Sequence, residues 1–182
     1  MKRRVQLKRR MQRLGFGSLL LILPLLASAG GNSLLVPSSA SCSLHVAPED
    51  LPEALALCRQ QAGAGDLQAE YELGSFYADE QNPERDLPQA IKWFEQASLQ
   101  GHAQAQYRLG MLFWHGEGVP VNKVQAYIVL KMAAVNGAED AADDLDLLAA
   151  QMSGDEVQQA NLVLGQIFRD YLLKLQNDPP VP

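Results

Sequence analysis

The sequence predicts an all-α fold: a short array of antiparallel helix pairs closed by a longer C-terminal helix. Three observations carry this. Gly65, Gly101 and Gly137 recur every 36 residues, and Tyr71 with Tyr107, Leu73-Gly74 with Leu109-Gly110, Ala90 with Ala126 and Ala97 with Ala133 keep the same period. Within each period the apolar residues fall at helical spacing, and each period ends on glycine. Such self-similarity marks a stacked array whose units bury their apolar faces only against neighbours.

The chain of 182 residues opens on seven positive charges, Lys2 to Arg13, with no acidic residue before Glu49. An apolar run from Leu14 to Leu26 follows and ends at Ala27-Ser28-Ala29. A basic stretch, an apolar stretch and small residues in this order predict a secretory signal peptide over residues 1–29. Leu14 to Val36 is also uncharged, so an uncleaved anchor in an inner membrane is the alternative. Cleavage would leave eight basic residues against 21 acidic ones, a net charge of −13, and place the chain in the periplasm or outside the cell. A surface this acidic is repelled by nucleic acid phosphates, so no nucleic acid partner is expected, and a membrane partner only if the segment stays uncleaved.

Residues 30–47, rich in Gly, Ser and Pro, read as an irregular arm. The two cysteines, Cys42 and Cys58, lie beyond the export segment, and an oxidising compartment predicts a disulfide between them. Two buried thiols are the alternative. A lipid-bearing Cys42 would need a lipobox leucine, which is missing, and no Cys-x-x-Cys motif suggests redox chemistry.

The repeat domain is expected over residues 48–176. Residues 52–65 form a half unit, because Ala54, Cys58 and Gly65 precede Ala90, Phe94 and Gly101 by one period. A Cys42–Cys58 bridge would then tie the arm over the exposed end of the array. In unit 66–101 a first helix carries Ala69, Leu73, Phe76 and Tyr77 on one face, Asn82-Pro83 breaks it, and a second helix carries Ala90, Ile91, Phe94 and Ala97. Unit 102–137 copies the plan around the turn Gly116 to Pro120, where Gly116 and Gly118 suit positive φ. Gly74 and Gly110 sit mid-helix, where Gly costs roughly 1 kcal/mol against Ala. Close packing against Ala90 and Ala126 would compensate. Residues 138–176 hold a degenerate unit with Ala141, Leu145 and Leu148, then a capping helix from about Asp155 with Ser153 or Asp155 as N-cap. Residues 177–182 read as a frayed tail.

The string Ala105 to Val119 resembles a Sel1-like repeat, completed by Ala126, Ala133-Ala134 and Gly137. The preceding unit matches through Ala69, Leu73-Gly74, Tyr77, Ala90, Trp93, Ala97 and Gly101, although Glu80-Gln81-Asn82 replaces its glycine turn and Val129 stands for the second tryptophan. The resemblance implies a TPR-like, right-handed α-solenoid and a role in assembling protein complexes. In such a solenoid the first helices line the concave face. The stripe Gln68, Glu72, Ser75 and Asp79, continued by Gln104, Arg108, Met111 and His115, is therefore the candidate surface for a protein or peptide partner.

No enzyme and no cofactor are expected. Neither S-x-x-K nor G-x-S-x-G occurs, so a periplasmic hydrolase has no motif to rest on. His45, His102 and His115 have no metal-ligand spacing, and Asp140, Asp143, Asp144 and Asp146 lack the Gly and distal Glu of a calcium loop. The four read as a solvated acidic face. The function expected is that of an exported interaction scaffold, with a membrane-anchored subunit of an envelope complex as the alternative.

Overall fold

The computed structural model describes residues 41–177. The predicted signal segment, the first part of the arm and the residues after Asn177 lie outside the described residues. Seven helices follow one another: α1 (Leu51–Gly63), α2 (Leu67–Ala78), α3 (Leu87–Leu99), α4 (Ala103–His115), α5 (Lys123–Val135), α6 (Ala141–Ala149) and α7 (Gly154–Asn177). Among the described residues there is no strand. The pairs α2–α3 and α4–α5 are the two full hairpins, and α1 packs on α2 as the second helix of a leading half unit.

The period of 36 residues reappears as a period of physical contacts. Asp66 Oδ1 accepts from Ala69 N at 2.9 Å to cap α2, and one period later His102 Nδ1 accepts from Ala105 N at 3.1 Å to cap α4. Asp86 caps α3 and Asn122 caps α5 in the same way, through bonds of 3.1 and 3.0 Å. These side chains satisfy backbone N–H groups that the first turn of a helix leaves open. Gly65, Gly101 and Gly137 follow the second helices with φ of 87°, 91° and 97°, a region closed to most side chains.

The core positions repeat as well. Ala69, Ala105 and Ala141 are fully buried, as are Ala90 with Ala126 and Ala97 with Ala133. Cys58, Phe94 and Leu130 occupy one equivalent position on α1, α3 and α5, all but sealed from solvent. Phe94 and Leu130 are also the true partners of the mid-helix glycines. A Cβ on Gly74 would stand 2.6 Å from the Phe94 ring, and one on Gly110 would stand 2.7 Å from Leu130 Cγ. The tightest approach is thus made by the large residue one turn beyond the expected Ala90 and Ala126, and the glycines clear space for it.

Buried polar groups also recur. Gln100 Nε2 donates to both oxygens of buried Glu70, at 3.1 and 2.9 Å. One period on, Asn136 Nδ2 donates to Gln106 Oε1 at 2.8 Å, while Gln106 Nε2 donates to the Ser98 carbonyl at 2.9 Å. Burial raises the Glu70 carboxyl above its ordinary range, against the bond from Gln100 and with the charge of Asp66.

The two turns reach the same closing bond along different backbone paths. In the second unit Gly116 and Gly118 take φ of 75° and 73°, as expected. In the first, Asn82 Nδ2 donates to the Phe76 carbonyl at 2.7 Å and its Oδ1 accepts from Glu84 N at 2.9 Å. Both hairpins then close on equivalent backbone bonds, Asp86 N to Tyr77 O at 2.9 Å and Asn122 N to Phe113 O at 2.8 Å. Without the glycines α2 ends on an extended Asp79, where α4 ends on a left-handed Gly116, yet the closing bond is kept.

Cys42 and Cys58 form a disulfide across a separation of 16 residues. Cys42 is buried and Leu44 packs against the first core cluster, so this end of the arm seals α1. At the other end α6 packs on α5, whereas α7 turns back onto α5 and scarcely touches α6. Ser153 and Glu156 form a capping box at its start, with Ser153 N donating to Glu156 Oε2 at 2.7 Å and Glu156 N to Ser153 Oγ at 3.3 Å. Donation from Ser153 N and from Ser153 Oγ, the latter at 3.0 Å, holds the Glu156 carboxyl below its usual range. Only the first half of α7 acts as a cap: Ala160 is buried and Leu164 half-buried, but Ile167, Phe168, Tyr171 and Leu172 are exposed.

Candidate partner-binding groove

A groove of about 630 Å³ runs between the C-terminal halves of α2 and α4. Its walls follow from the helical repeat. Ser75, Ala78 and Asp79 come from the end of α2 and its cap, and Arg108, Met111, Leu112 and His115 from successive turns of α4. Leu87 and Phe94 of α3 close the floor, the arm contributes His45, and the loop after α4 contributes Glu117.

Five of the eight residues of the predicted stripe meet here: Ser75, Asp79, Arg108, Met111 and His115. The other three lie outside it. Gln68 Nε2 donates to Glu72 Oε1 at 2.9 Å along the first turns of α2, and Gln104 is exposed near the start of α4. Gln68 Oε1 lies 3.3 Å from His102 Nε2. Because Nδ1 of His102 accepts at the cap, Nε2 carries the proton and donates to Gln68. The upper stripe thus braces one unit against the next, with Tyr71 stacked on the His102 ring at 4.7 Å. Burial lowers the His102 pKa below the ordinary imidazole range, and the nearby Glu72 carboxylate only partly opposes it.

Sequence reasoning missed His45, Leu87, Phe94 and Glu117 as lining residues. The arm and the interhelical loop have no periodicity that would place His45 and Glu117, while Leu87 and Phe94 sit on α3, whose inward face was read as core. Tyr107 was legible as a repeat of Tyr71, but its role differs. Its hydroxyl donates to Asp144 Oδ2 at 2.7 Å, tying α4 to α6. Burial, that bond and the charges of Asp144 and Asp140 push the Tyr107 pKa up to about 12. Asp144 is therefore a structural acceptor and does not belong to a purely solvated acidic face.

The groove mixes an apolar floor with a mostly acidic rim of Asp79, Glu80 and Glu117. Glu117 stands 3.9 Å from Arg85. Arg108 is exposed and has no hydrogen bond or ion pair to any described residue. Ser75 Oγ is buried without a hydrogen-bond partner. His115 is stacked on Trp114 with ring centroids 5.1 Å apart, which fixes its direction at the end of α4. No three His, Cys, Asp or Glu side chains converge as metal ligands among the described residues, and none of their helices is long and apolar enough to cross a membrane.

The family model for the Sel1 repeat matches residues 67–102 and 103–137, which are the two hairpins with their closing turns. The chain carries two Sel1 repeats. A protective antigen of uropathogenic Escherichia coli with an SLR fold is similar at a TM-score of 0.63 and 23% identity, over 75% of this chain and 30% of that one. A Sel1 repeat protein from Oxalobacter formigenes is similar at a TM-score of 0.51 and 28% identity, over 53% of this chain and 40% of that one. The chain thus spans well under half the length of each. No curated protein matches it in sequence. Sel1 repeats generally mediate protein interactions and are typically non-enzymatic scaffolds.

Proposed function

We propose that this Sel1-repeat protein is an exported interaction scaffold that holds a segment of a partner protein in the groove between α2 and α4. The observation that carries the reading is the groove itself: an apolar floor, an unpaired Arg108 and a directed His115 on one open surface. An extended peptide or a helix would lay apolar side chains on Leu87, Met111 and Leu112. Arg108 would take an acidic group of that segment, while basic residues beside it would meet Asp79 and Glu80. The repeats fix these groups on rigid helices, so the partner finds them already arranged.

Export is part of the proposal. The Cys42–Cys58 disulfide supports it, because such bonds persist in oxidising compartments. Mass spectrometry of the chain from the cell envelope should find the N-terminus near Gly30, and an intact N-terminus would favour the anchored form instead.

In vivo photocrosslinking tests the groove. A photoreactive residue at Arg108 or Met111 should capture a defined protein band, and one at Leu99, which is 88% exposed at the end of α3, should not. Equal labelling from both surfaces, or labelling of solvent and lipid alone, would remove the groove reading.

A further inference from the structure

A second cavity, of about 460 Å³, shares no lining residue with the groove between α2 and α4. The last turn of α1 borders it through Ala62 and Gly63, and the C-terminal half of α3 through Trp93, Leu99 and Gln100. Glu70 of α2 completes the wall and is 4% exposed. Among the described residues its carboxylate receives hydrogen bonds from one group, Gln100 Nε2. No Lys, Arg or His lines the cavity, and neither α1 nor α3 has a basic residue in its last turn. Two helix C-termini, each worth roughly half a negative charge, therefore flank a buried carboxylate. The N-terminal end of α2 offsets part of this, since Glu70 lies in its first turn.

The next unit carries different chemistry at the same positions. Gln106 stands one period after Glu70, and Val129 one period after Trp93. Gln106 Nε2 donates to the Ser98 carbonyl at 2.9 Å, which also accepts from Gly101 N at 3.0 Å. The counterpart of that carbonyl is Ala62 O, which accepts from Gly65 N at 2.9 Å. An ionised Glu70 has no N–H to give it, so the first unit sets two acceptors where the second pairs a donor with an acceptor.

This pattern suits a cationic donor on an apolar stem. We propose that the cavity binds a small, unbranched primary alkylamine, its ammonium held by the Glu70 carboxylate and the Ala62 carbonyl and its alkyl chain laid along Trp93 and Leu99. An ammonium has three N–H groups, enough to serve both acceptors, and its bond to a carboxylate is of the strong, charge-assisted kind. The indole face attracts the same cation. A hard metal ion would need several oxygen ligands, and no three His, Cys, Asp or Glu side chains converge among the described residues. The volume is that of a small-ligand site. The rim at Gly63, Gly65 and Gln96 offers no broad apolar surface for a protein segment, so the occupant is a free amine. The chain's net charge of −6 draws such a cation in.

The array itself supplies the test variants, because Glu70→Gln and Trp93→Val install the residues found one period on. In amide proton–nitrogen correlation spectra of the full chain, n-pentylammonium chloride should shift the Gln100 side-chain amide and the Gly63 and Gly65 signals. The shifts should saturate in the millimolar range, at an ionic strength held constant with sodium chloride. Glu70→Gln should weaken binding about tenfold or more and keep wild-type helicity, since Gln106 is fully buried at the equivalent site. Trp93→Val should weaken it severalfold, and n-pentanol should leave all three signals in place. Absence of saturable shifts in the wild type overturns the proposal, as does equal affinity in Glu70→Gln. Equal binding of n-pentanol would reduce the cavity to a plain apolar pocket. Shifts at Ser75 and Arg108 in place of Gln100 would put the amine in the groove, and binding of a lysine-bearing peptide but not of n-pentylammonium would assign the cavity to a protein partner; either result also overturns it.

Discussion

Adding one methyl group at Gly74 tests the packing logic of the whole array. Helix propensity alone says that Gly74→Ala should stabilise α2 by roughly 1 kcal/mol. The structure says otherwise. The new Cβ would lie 2.6 Å from two atoms of the Phe94 ring, about an ångström inside ordinary van der Waals contact. Phe94 is 1% exposed within the first core cluster, so its ring can yield only by displacing packed neighbours or turning toward the groove it borders. Overpacking of this kind costs typically ~1–3 kcal/mol, and subtracting the propensity gain leaves a net loss of about 1 kcal/mol. Gly63→Ala is the matched control, because its Cβ would meet nothing within 4 Å at the end of α1. It should gain up to about 1 kcal/mol. Urea unfolding of the two variants should therefore shift the midpoint in opposite directions, with unchanged slope. If Gly74→Ala is as stable as the wild type or more so, close helix approach is not the reason for the repeated glycine.

Three further outcomes follow from the contacts. The His102 cap works only while Nδ1 is unprotonated, and the folded pKa lies below the free value of about 6.5. The stability it supplies is thus complete above that value and is lost as pH falls through the lowered folded pKa. Relative to His102→Asn, whose cap does not titrate, the wild type should lose about 1 kcal/mol between neutral and mildly acid pH; a constant difference would refute this. Tyr107→Phe should cost about 1 kcal/mol by orphaning Asp144. Because Tyr107 ionises only near pH 12, that variant should also match the wild type in ultraviolet titration up to about pH 11. Reducing the Cys42–Cys58 bond, which spans 16 residues, should cost up to about 3 kcal/mol in urea unfolding, and an unshifted midpoint would show that the arm contributes nothing.

The sequence by itself determined the array. The helices of the two full units and the glycines that follow their second helices could be read from a period of 36 residues, because each unit meets the same local environment and so repeats the same chemistry. Five residues of the groove were legible for the same reason, since Ser75, Asp79, Arg108, Met111 and His115 share a helical face. Tertiary structure alone decided what the period does not encode. It showed that the Phe94 ring makes the tightest approach to Gly74, that His45 and Glu117 complete the groove from aperiodic segments, and that Asp144 serves Tyr107. It also showed that α7 outruns the array, leaving Phe168 and Tyr171 exposed among the described residues. Periodicity tells which face of a helix is apolar. Only the lengths and crossing points of the packed helices tell how much of that face is covered.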